Sequence, residues 1–201
     1  MGGLLQKGAI VRVLILGGTG LIGSGVVREL VGRGHHLFAL ARSGAAASTL
    51  AERGATPVAG DIGTPPAWVT KLPPLDAIIH MACDFNSDMG AVDRRLLDGL
   101  LPVLAKQKEK PRFIYTGGGW LFGATDDELV MEETPFRPLP AFAWMVPQLR
   151  RVLASTSVDG IVVHPGMVYE AAGGVFRRFA RAAAPKAGPC PSSKAKRCAG
   201  R

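Results

Sequence analysis

A glycine-rich stretch near the N-terminus constrains the fold of this chain more than any other feature. The segment VLILGGTGLIGSGVV, residues 13–27, places four glycines within seven residues, between two apolar runs. Gly17, Gly20 and Gly23 form a G-x-x-G-x-x-G pattern where a buried strand gives way to a helix. At such a junction one glycine permits a tight turn, one lets the backbone approach a pyrophosphate, and one lets the helix pack against the strand. The stretch therefore predicts the first βα turn of a dinucleotide-binding domain.

Strand and helix patterns alternate along the rest of the chain. Predicted strands cover residues 9–16, 36–41, 55–61, 75–82, 112–116 and 160–165. Predicted helices cover residues 21–34, 48–53, 93–107 and 147–155, the third with a bend at Pro102. Short strands that alternate with helices pair in parallel, because each helix carries the chain back across the sheet. The pattern predicts a doubly wound, mostly parallel α/β sheet of the Rossmann type, with about six strands. The long loop 117–141 is expected to be functional or mobile.

Charge separates the body of the chain from its C-terminal end. The net charge is +8, but six Lys and Arg residues and no acid lie within residues 181–201, so the other 180 residues carry only about +2. We expect an NAD(P)-binding domain over residues 9–180 and a basic disordered tail over residues 181–201. The tail has no interleaved aromatic residues, so the sequence does not favour a nucleic-acid partner.

Other sequence signals point to a cytoplasmic protein without a membrane anchor. No apolar run approaches the roughly 18 residues of a membrane span, and the N-terminus has no secretory signal pattern. Cys83, Cys190 and Cys198 do not have the spacing of a metal site or a disulfide pair, so no metal is expected.

The second predicted strand indicates which dinucleotide is bound. No Asp or Glu occurs between Glu29 and Glu52, whereas an acid after this strand is typical of NAD selection. Arg42 and Ser43 follow the strand instead, and a guanidinium suits a 2′-phosphate. The pattern predicts NADP, with NAD less favoured. Its pyrophosphate is expected at the N–H groups of Gly20, Leu21 and Ile22.

The glycine motif is followed in order by VAGDI, IIHMA, FIYTGGGWLFG and VVHPGMVYE. This series resembles the extended and atypical branch of the short-chain dehydrogenase/reductase superfamily, the NAD(P)-dependent epimerase/dehydratase-like proteins, over about residues 9–180. The resemblance implies adenine contacts at Asp61 and Ile62, and a loop over the nicotinamide at residues 165–168. Together with Arg42 and Ser43, the implied cofactor-binding residues are Gly17, Thr19, Gly20, Leu21, Ile22, Gly23, Asp61, Ile62, His80, Met81, Ala82, Thr116, Pro165, Gly166 and Val168.

The catalytic positions depart from this family. The resemblance implies a Ser or Thr after the fifth strand and a Tyr-x-x-x-Lys on the next helix, in which the lysine lowers the tyrosine pKa. The matching residues are Gly118, Phe142 and Val146, and a second register gives Trp144 and Gln148 instead of the last two.

Few nearby groups could take over this role. Tyr115 is expected to pack inside, and His164 to make a local hydrogen bond at a strand end. Thr116 and Tyr169 remain as catalytic candidates.

Two functions stay open at this point. One is an NADP-linked oxidoreductase or epimerase-like enzyme for a small carbonyl or sugar-like substrate. The other is an NADP-binding sensor or interaction protein that lacks the tyrosine–lysine pair. The resemblance also implies that most of the substrate domain is missing. The sudden change of composition in the tail suggests the hypothesis of a truncated or frame-altered C-terminus. An apolar face beside residues 166–174 would then be exposed, so we expect a homodimer.

Overall fold

A computed structural model describes residues 9–125, 127–170 and 173–183 of the chain. The chain divides into a first unit that ends at Val168 and a second unit that begins at Tyr169.

The first unit is built on a six-stranded parallel sheet. Its strands are β1 (Arg12–Leu16), β2 (His36–Ala41), β3 (Thr56–Ala59), β4 (Ala77–His80), β5 (Arg112–Thr116) and β6 (Asp159–Val163). They lie in the order β3-β2-β1-β4-β5-β6, and every neighbouring pair is parallel. The strand order reverses between β1 and β4, which opens a crevice at the carboxyl ends of these strands. The predicted doubly wound fold is confirmed.

Four α-helices cover the two faces of this sheet. They are α1 (Leu21–Gly32), α2 (Gly44–Glu52), α3 (Met89–Leu104) and α4 (Met145–Leu153). Short 3₁₀ turns occupy Pro65–Ala67, Val69–Lys71, Gly119–Leu121 and Pro140–Phe142. Within the described ranges, no helix is both long enough and apolar enough to cross a membrane.

Helices α2 and α3 begin earlier in the sequence than predicted, because a side chain caps the N-terminus of each. The Ser43 hydroxyl accepts the Ala46 N–H at 3.2 Å, so α2 begins at residue 44 rather than 48. A carboxylate oxygen of Asp88 accepts the Ala91 N–H at 2.9 Å, so α3 begins at residue 89 rather than 93. Helix α4 begins before Pro147, because the first turn of a helix has no intrahelical use for its N–H groups.

The core lies in two layers because β1 is buried on both faces. Val13 and Ile15 pack on the α1 and α2 side, and Leu14 and Leu16 pack on the α3 side. A strand buried on both faces is a near-continuous apolar run, which is how β1 reads in the sequence.

The second unit contains a short hairpin and a helix. Strand β7 (Tyr169–Glu170) pairs antiparallel with β8 (Gly173–Gly174), and α5 spans Val175–Ala183. Residues 181–183 of the predicted tail therefore belong to a helix, and residues 184–201 lie outside the described residues.

Candidate functional site

The turn after β1 requires glycine at its first and last motif positions. Gly17 has φ +91°, and a Cβ there would lie 2.8 Å from the Ala82 amide nitrogen and 2.9 Å from the Met81 carbonyl carbon. A Cβ on Gly23 would overlap the carbonyl oxygen of Gly17. The first glycine thus lets the turn pass against the end of β4, and the last lets α1 approach the turn.

The N-terminus of α1 offers fewer free donors than the sequence predicts. The Gly20 N–H donates to the Gly17 carbonyl oxygen at 3.0 Å, so it is engaged in the turn itself. A phosphate contact from this N–H stays a prediction. The N–H groups of Leu21 and Ile22 have no acceptor within the described part of the chain. They remain the donors for an anion at the positive end of α1.

Arg42 lies where the sequence places it, but two carboxylates flank it. Its Nε is 3.8 Å from Asp61 Oδ2, and one of its terminal nitrogens is 4.0 Å from Asp84 Oδ1. Hydrogen bonds from the Ser87 hydroxyl and the Asn86 N–H lower the pKa of Asp84, so this carboxylate stays ionised at neutral pH. The Arg42 side chain is 59 % exposed, which leaves it open to a ligand on its solvent side.

The remaining residues implied for the adenine end have structural roles. The Ser43 hydroxyl caps α2. Asp61 Oδ1 accepts the Gly63 N–H at 2.6 Å, and the Ile62 side chain is buried in the core. Thr19 lies exposed in the glycine turn.

A pocket of about 140 Å³ lies at the carboxyl ends of β4 and β5. The small and polar residues that line it are His80, Ala82, Cys83, Asp93, Tyr115, Thr116 and Gly117. Its aromatic and thioether residues are Met81, Phe85, Trp120, Phe142, Trp144 and Met145. The pocket therefore brings together the predicted residues at the end of β4, Thr116, and both registers of the missing tyrosine.

Three buried side chains form a hydrogen-bonded network beside this pocket. His80 Nε2 lies 2.6 Å from Asp93 Oδ1, and the Tyr115 hydroxyl donates to Asp93 Oδ2 at 2.9 Å. Burial, together with the Asp93 charge, raises the pKa of Tyr115, so the phenol keeps its proton and acts as the donor. Both oxygens of Asp93 therefore accept hydrogen bonds. If the His80 ring is neutral, its one N–H must be at Nε2, which faces Asp93, and Nδ1 carries no proton.

Two nitrogens that belong to the pocket lining have no hydrogen-bond partner. Among the described residues, His80 Nδ1 and Trp144 Nε1 are the only buried side-chain nitrogen or oxygen atoms in this state. Both side chains line the pocket. Leaving a buried polar group unpaired costs about 1–3 kcal/mol, so each nitrogen favours a polar ligand atom or an ordered water.

The usual catalytic positions hold no proton donor in this structure. A Cβ on Gly118 would lie 2.7 Å from Trp120 Cδ1, so a serine there would displace the indole. Phe142 stacks on Trp120 with ring centroids 5.5 Å apart, and Val146 packs against the core. Of these residues, Phe142 and Trp120 line the pocket, and neither side chain supplies a proton.

His164 makes the local hydrogen bond that the sequence suggests. The Gly118 N–H donates to His164 Nδ1 at 3.2 Å, and a Cβ on Gly117 would overlap the imidazole ring. Burial lowers the pKa of His164, in keeping with a neutral ring that accepts this N–H.

The residues after β6 are placed in part. Pro165 is half-buried, whereas Gly166 and Val168 are exposed. Tyr169 belongs to the second unit, where its ring contacts Phe176 edge-on at 4.8 Å.

Sequence reasoning missed Asp93 and assigned Tyr115 to packing alone. A signal for Asp93 was present, because it precedes Leu96, Leu97 and Leu100 at helical spacing and so lies on the buried stripe of α3. An acid in such a stripe requires a buried partner. The described residues hold no cluster of three or more His, Cys, Asp or Glu side chains able to hold a metal ion.

A doubly wound parallel sheet with a glycine-rich first turn at the strand-order reversal, and a pocket at the carboxyl ends of β4 and β5, defines a domain of the dinucleotide-binding class. The chain belongs to the NAD dependent epimerase/dehydratase family, whose family model matches residues 13–169. This result confirms the resemblance found in the sequence.

Known proteins of similar sequence or fold are longer than this chain. A sterol-4-alpha-carboxylate 3-dehydrogenase (decarboxylating) from Dictyostelium discoideum is 26 % identical over 66 % of this chain and 43 % of its own length. The photosystem II assembly factor Ycf39 of Synechocystis sp. is 43 % identical over 34 % of this chain and 21 % of its own length. The solved structure of WbmH from Bordetella bronchiseptica, in complex with NAD+, has a TM-score of 0.67 and 18 % identity, and the match covers 87 % of this chain and 64 % of that one.

Proposed function

We propose that the protein is an NADP-dependent oxidoreductase that acts on the carbonyl group of a small substrate. The observation that carries this proposal is the continuity of two sites. The glycine turn packs against the backbone of Met81 and Ala82, and the same two residues line the pocket at the ends of β4 and β5. A phosphate held at the turn would therefore place the rest of a dinucleotide along the edge of the pocket.

Different residues of this chain would bind different parts of the cofactor. Leu21 and Ile22 would donate backbone N–H groups to the pyrophosphate, and Arg42 would pair with a 2′-phosphate. The aromatic residues of the pocket would exclude water from the reacting end. When bound, the dinucleotide supplies a hydride.

Two relatives support a nicotinamide dinucleotide and a redox reaction. WbmH was solved with NAD+, and the Dictyostelium relative is named as a dehydrogenase. The preference for NADP rests on Arg42. Among the residues that the structure describes, no Arg or Lys lines the pocket, which favours a small carbonyl compound over a sugar carried on a charged diphosphate.

Titration of the purified chain with NADPH and NADH, followed by turnover with a panel of aldehydes and ketones, tests the proposal. We expect NADPH to bind more tightly than NADH and at least one carbonyl compound to be reduced. Failure to bind either dinucleotide would rule out this function.

The second candidate is an NADP-binding sensor or assembly protein without turnover. It is favoured by the absence of a hydroxyl or amine at Gly118, Phe142 and Val146, and one relative is named as an assembly factor. Tight NADPH binding with no reduction of any compound in the panel would support this alternative.

A further inference from the structure

We propose that His80 is the group that exchanges a proton with the oxygen of a carbonyl or hydroxyl ligand in this pocket, and that the Trp144 indole N–H donates a hydrogen bond to the same oxygen. The assignment deepens the proposed function, on which it rests, by naming the acid–base group of the same site. Asp93 and Tyr115 are positioning residues that act through His80.

Two buried nitrogens without a hydrogen-bond partner support the assignment of His80 and Trp144. Within the described residues, His80 Nδ1 and Trp144 Nε1 alone are buried without a partner, and both side chains line one pocket. The rest of the lining combines aromatic and thioether side chains with a few polar ones, among which the Thr116 hydroxyl is a further possible partner for a ligand oxygen. A ligand oxygen within reach of both nitrogens would satisfy both, because it accepts from the indole and either accepts from the imidazolium or donates to the neutral imidazole.

The tautomer of His80, which is fixed by its neighbours, also supports the assignment. The Asp93 carboxylate holds His80 Nε2 at 2.6 Å, and the Tyr115 hydroxyl holds the other carboxylate oxygen at 2.9 Å. A carboxylate on one ring nitrogen orients the imidazole and stabilises the imidazolium that forms when the other nitrogen takes a proton. The network thus leaves Nδ1 as the exchanging atom.

In the proposed step, a proton moves between His80 Nδ1 and the oxygen of the substrate. As a carbonyl group is reduced, the Nδ1–H bond of the imidazolium breaks and an O–H bond forms on the substrate, while the electron pair is that of the hydride. His80 is left neutral, with its Nε2–H still on Asp93, and a solvent proton restores it. In the opposite direction, bare Nδ1 takes the hydroxyl proton.

Trp144 supports the assignment through its position. In one register it occupies the site of the family's tyrosine. An indole N–H donates but does not exchange its proton under these conditions. Binding of the oxygen and proton exchange are therefore divided between Trp144 and His80.

The first experiment uses the wild-type chain without cofactor. The chain has four histidines, so ¹⁵N-histidine NMR gives four pairs of imidazole signals, one for Nδ1 and one for Nε2 of each ring. Single Gln variants of His35, His36 and His164 assign the His80 pair by elimination. We expect the Nε2–H tautomer for His80. A His80 ring that carries its proton on Nδ1 would overturn the assignment.

The probes are benzyl alcohol and ethylbenzene, which share a shape but differ in the hydroxyl group. Both should change the tryptophan fluorescence, and only benzyl alcohol should shift the His80 Nδ1 signal. A fluorescence change with no His80 shift, or no binding of either probe, would contradict the proposal.

The second experiment compares reduction of benzaldehyde, in the presence of NADPH, by His80→Gln and by His36→Gln, a matched change at an exposed histidine on β2. We expect kcat to fall about 10²–10⁴-fold in His80→Gln, with loss of the pH dependence. Tyr115→Phe should keep the exchange but shift the pH profile. A His80→Gln rate within about tenfold of wild type would overturn the role of His80.

The results distinguish a failure of the His80 assignment from a failure of the proposed function. No binding of NADPH by the wild type would refute the proposed function, whereas NADPH-dependent reduction that survives in His80→Gln would refute only the role of His80. If His80→Gln does not fold, the NMR experiment on the wild type still decides.

Discussion

Gly17 and Gly20 lie in the same turn but differ in what a side chain would meet. Gly17 combines a positive φ with close backbone neighbours, so substitution there tests the fold rather than the ligand site. Gly20 has φ −73°, and a Cβ there meets only the Gly17 carbonyl oxygen, at 3.3 Å. Gly20 is therefore the position at which binding can be changed with the fold kept.

Gly20→Val should abolish or strongly weaken NADPH binding. The branched side chain would occupy the space where a phosphate approaches the N–H groups of Leu21 and Ile22, and losing charge-assisted hydrogen bonds of this kind costs about 1.5–3 kcal/mol. Gly25→Val is the matched control, because it makes the same change on the same helix where a Cβ meets open space. Equal NADPH affinity in the two variants, measured by fluorescence titration, would show that the turn has no ligand.

Arg42→Asp should weaken NADPH and spare or improve NADH. A guanidinium–phosphate contact contributes about 1.5–3 kcal/mol, and this charge reversal removes it. Arg28→Asp, at an exposed position on α1, controls for the change in net charge. Asp84→Asn should tighten NADPH, because one of the carboxylates that compete for Arg42 is removed. A wild type that already prefers NADH in paired titrations would refute the assignment.

Cys83 should react slowly with iodoacetamide. Burial, with smaller effects of the Asp93 and Asp84 charges, raises the pKa of this thiol from 9.0 to about 11. At pH 8 the reactive thiolate is therefore about 100-fold scarcer than for a thiol with the ordinary pKa. A Cys190→Ser/Cys198→Ser background isolates Cys83, and alkylation at the rate of a free cysteine would contradict the expectation.

The same shift sets the sign of a pH effect on stability. The folded thiol holds its proton to a higher pH than the unfolded one. Above about pH 9 the unfolded chain ionises first, and the contribution of Cys83 to stability falls as the pH rises.

At the scale of elements, α3 and the segment before α4 meet at a glycine. A Cβ on Gly90 would lie 2.9 Å from the Trp144 Cβ, so the absence of a side chain on α3 gives Trp144 its place beside the pocket.

Gly90→Ala should change the pocket without the usual gain in stability. The new methyl group would push Trp144 aside, so we expect altered tryptophan fluorescence and weaker binding of benzyl alcohol. Gly25→Ala, on α1 in open space, should instead raise the melting temperature. If Gly90→Ala is as stabilising as Gly25→Ala and binds the probe normally, Trp144 is not held by this contact.

The elements themselves were predictable where hydrophobic periodicity decides them. Strands His36–Ala41 and Arg112–Thr116 match their predicted bounds, because each is a short apolar run between turns. The starts of α2 and α3 were not predicted, since they depend on single side-chain caps rather than on periodicity.

The site was predictable where it depends on local motifs, as in the glycine turn. The network around Asp93 depends on tertiary contacts. It forms because the register of β4 and β5 sets His80 opposite Tyr115, while α3 brings an acid over both. None of these three residues is near another in the sequence.

At the scale of the whole molecule, β6 leaves the sheet of the first unit with an apolar edge. Ile161 and Val163 on this strand are 39 % and 47 % exposed, and no strand among the described residues pairs with its outer side. An unpaired strand with apolar side chains favours association between chains.

We therefore expect a homodimer or a soluble aggregate in sedimentation experiments. A chain cut after Ala184 should associate in the same way and keep its NADPH affinity, because the association is attributed to the sheet edge and not to the basic residues beyond it. Val163→Lys should reduce the association by placing a charge on the edge. A single monodisperse monomer of the cut chain at micromolar concentration would show that the edge is covered.

Two side chains of the pocket lining have nitrogens without a hydrogen-bond partner, so the thermal stability of the protein should reveal ligand binding. A compound that binds only the folded state stabilises it by an amount that grows with its concentration, about 2.7 kcal/mol at 100 times its Kd. Filling a pocket whose lining carries unmet hydrogen bonds should therefore raise the melting temperature, whatever reaction follows. Thermal-shift screening of a metabolite library, with and without NADPH, could in this way find the natural ligand before any turnover is detected.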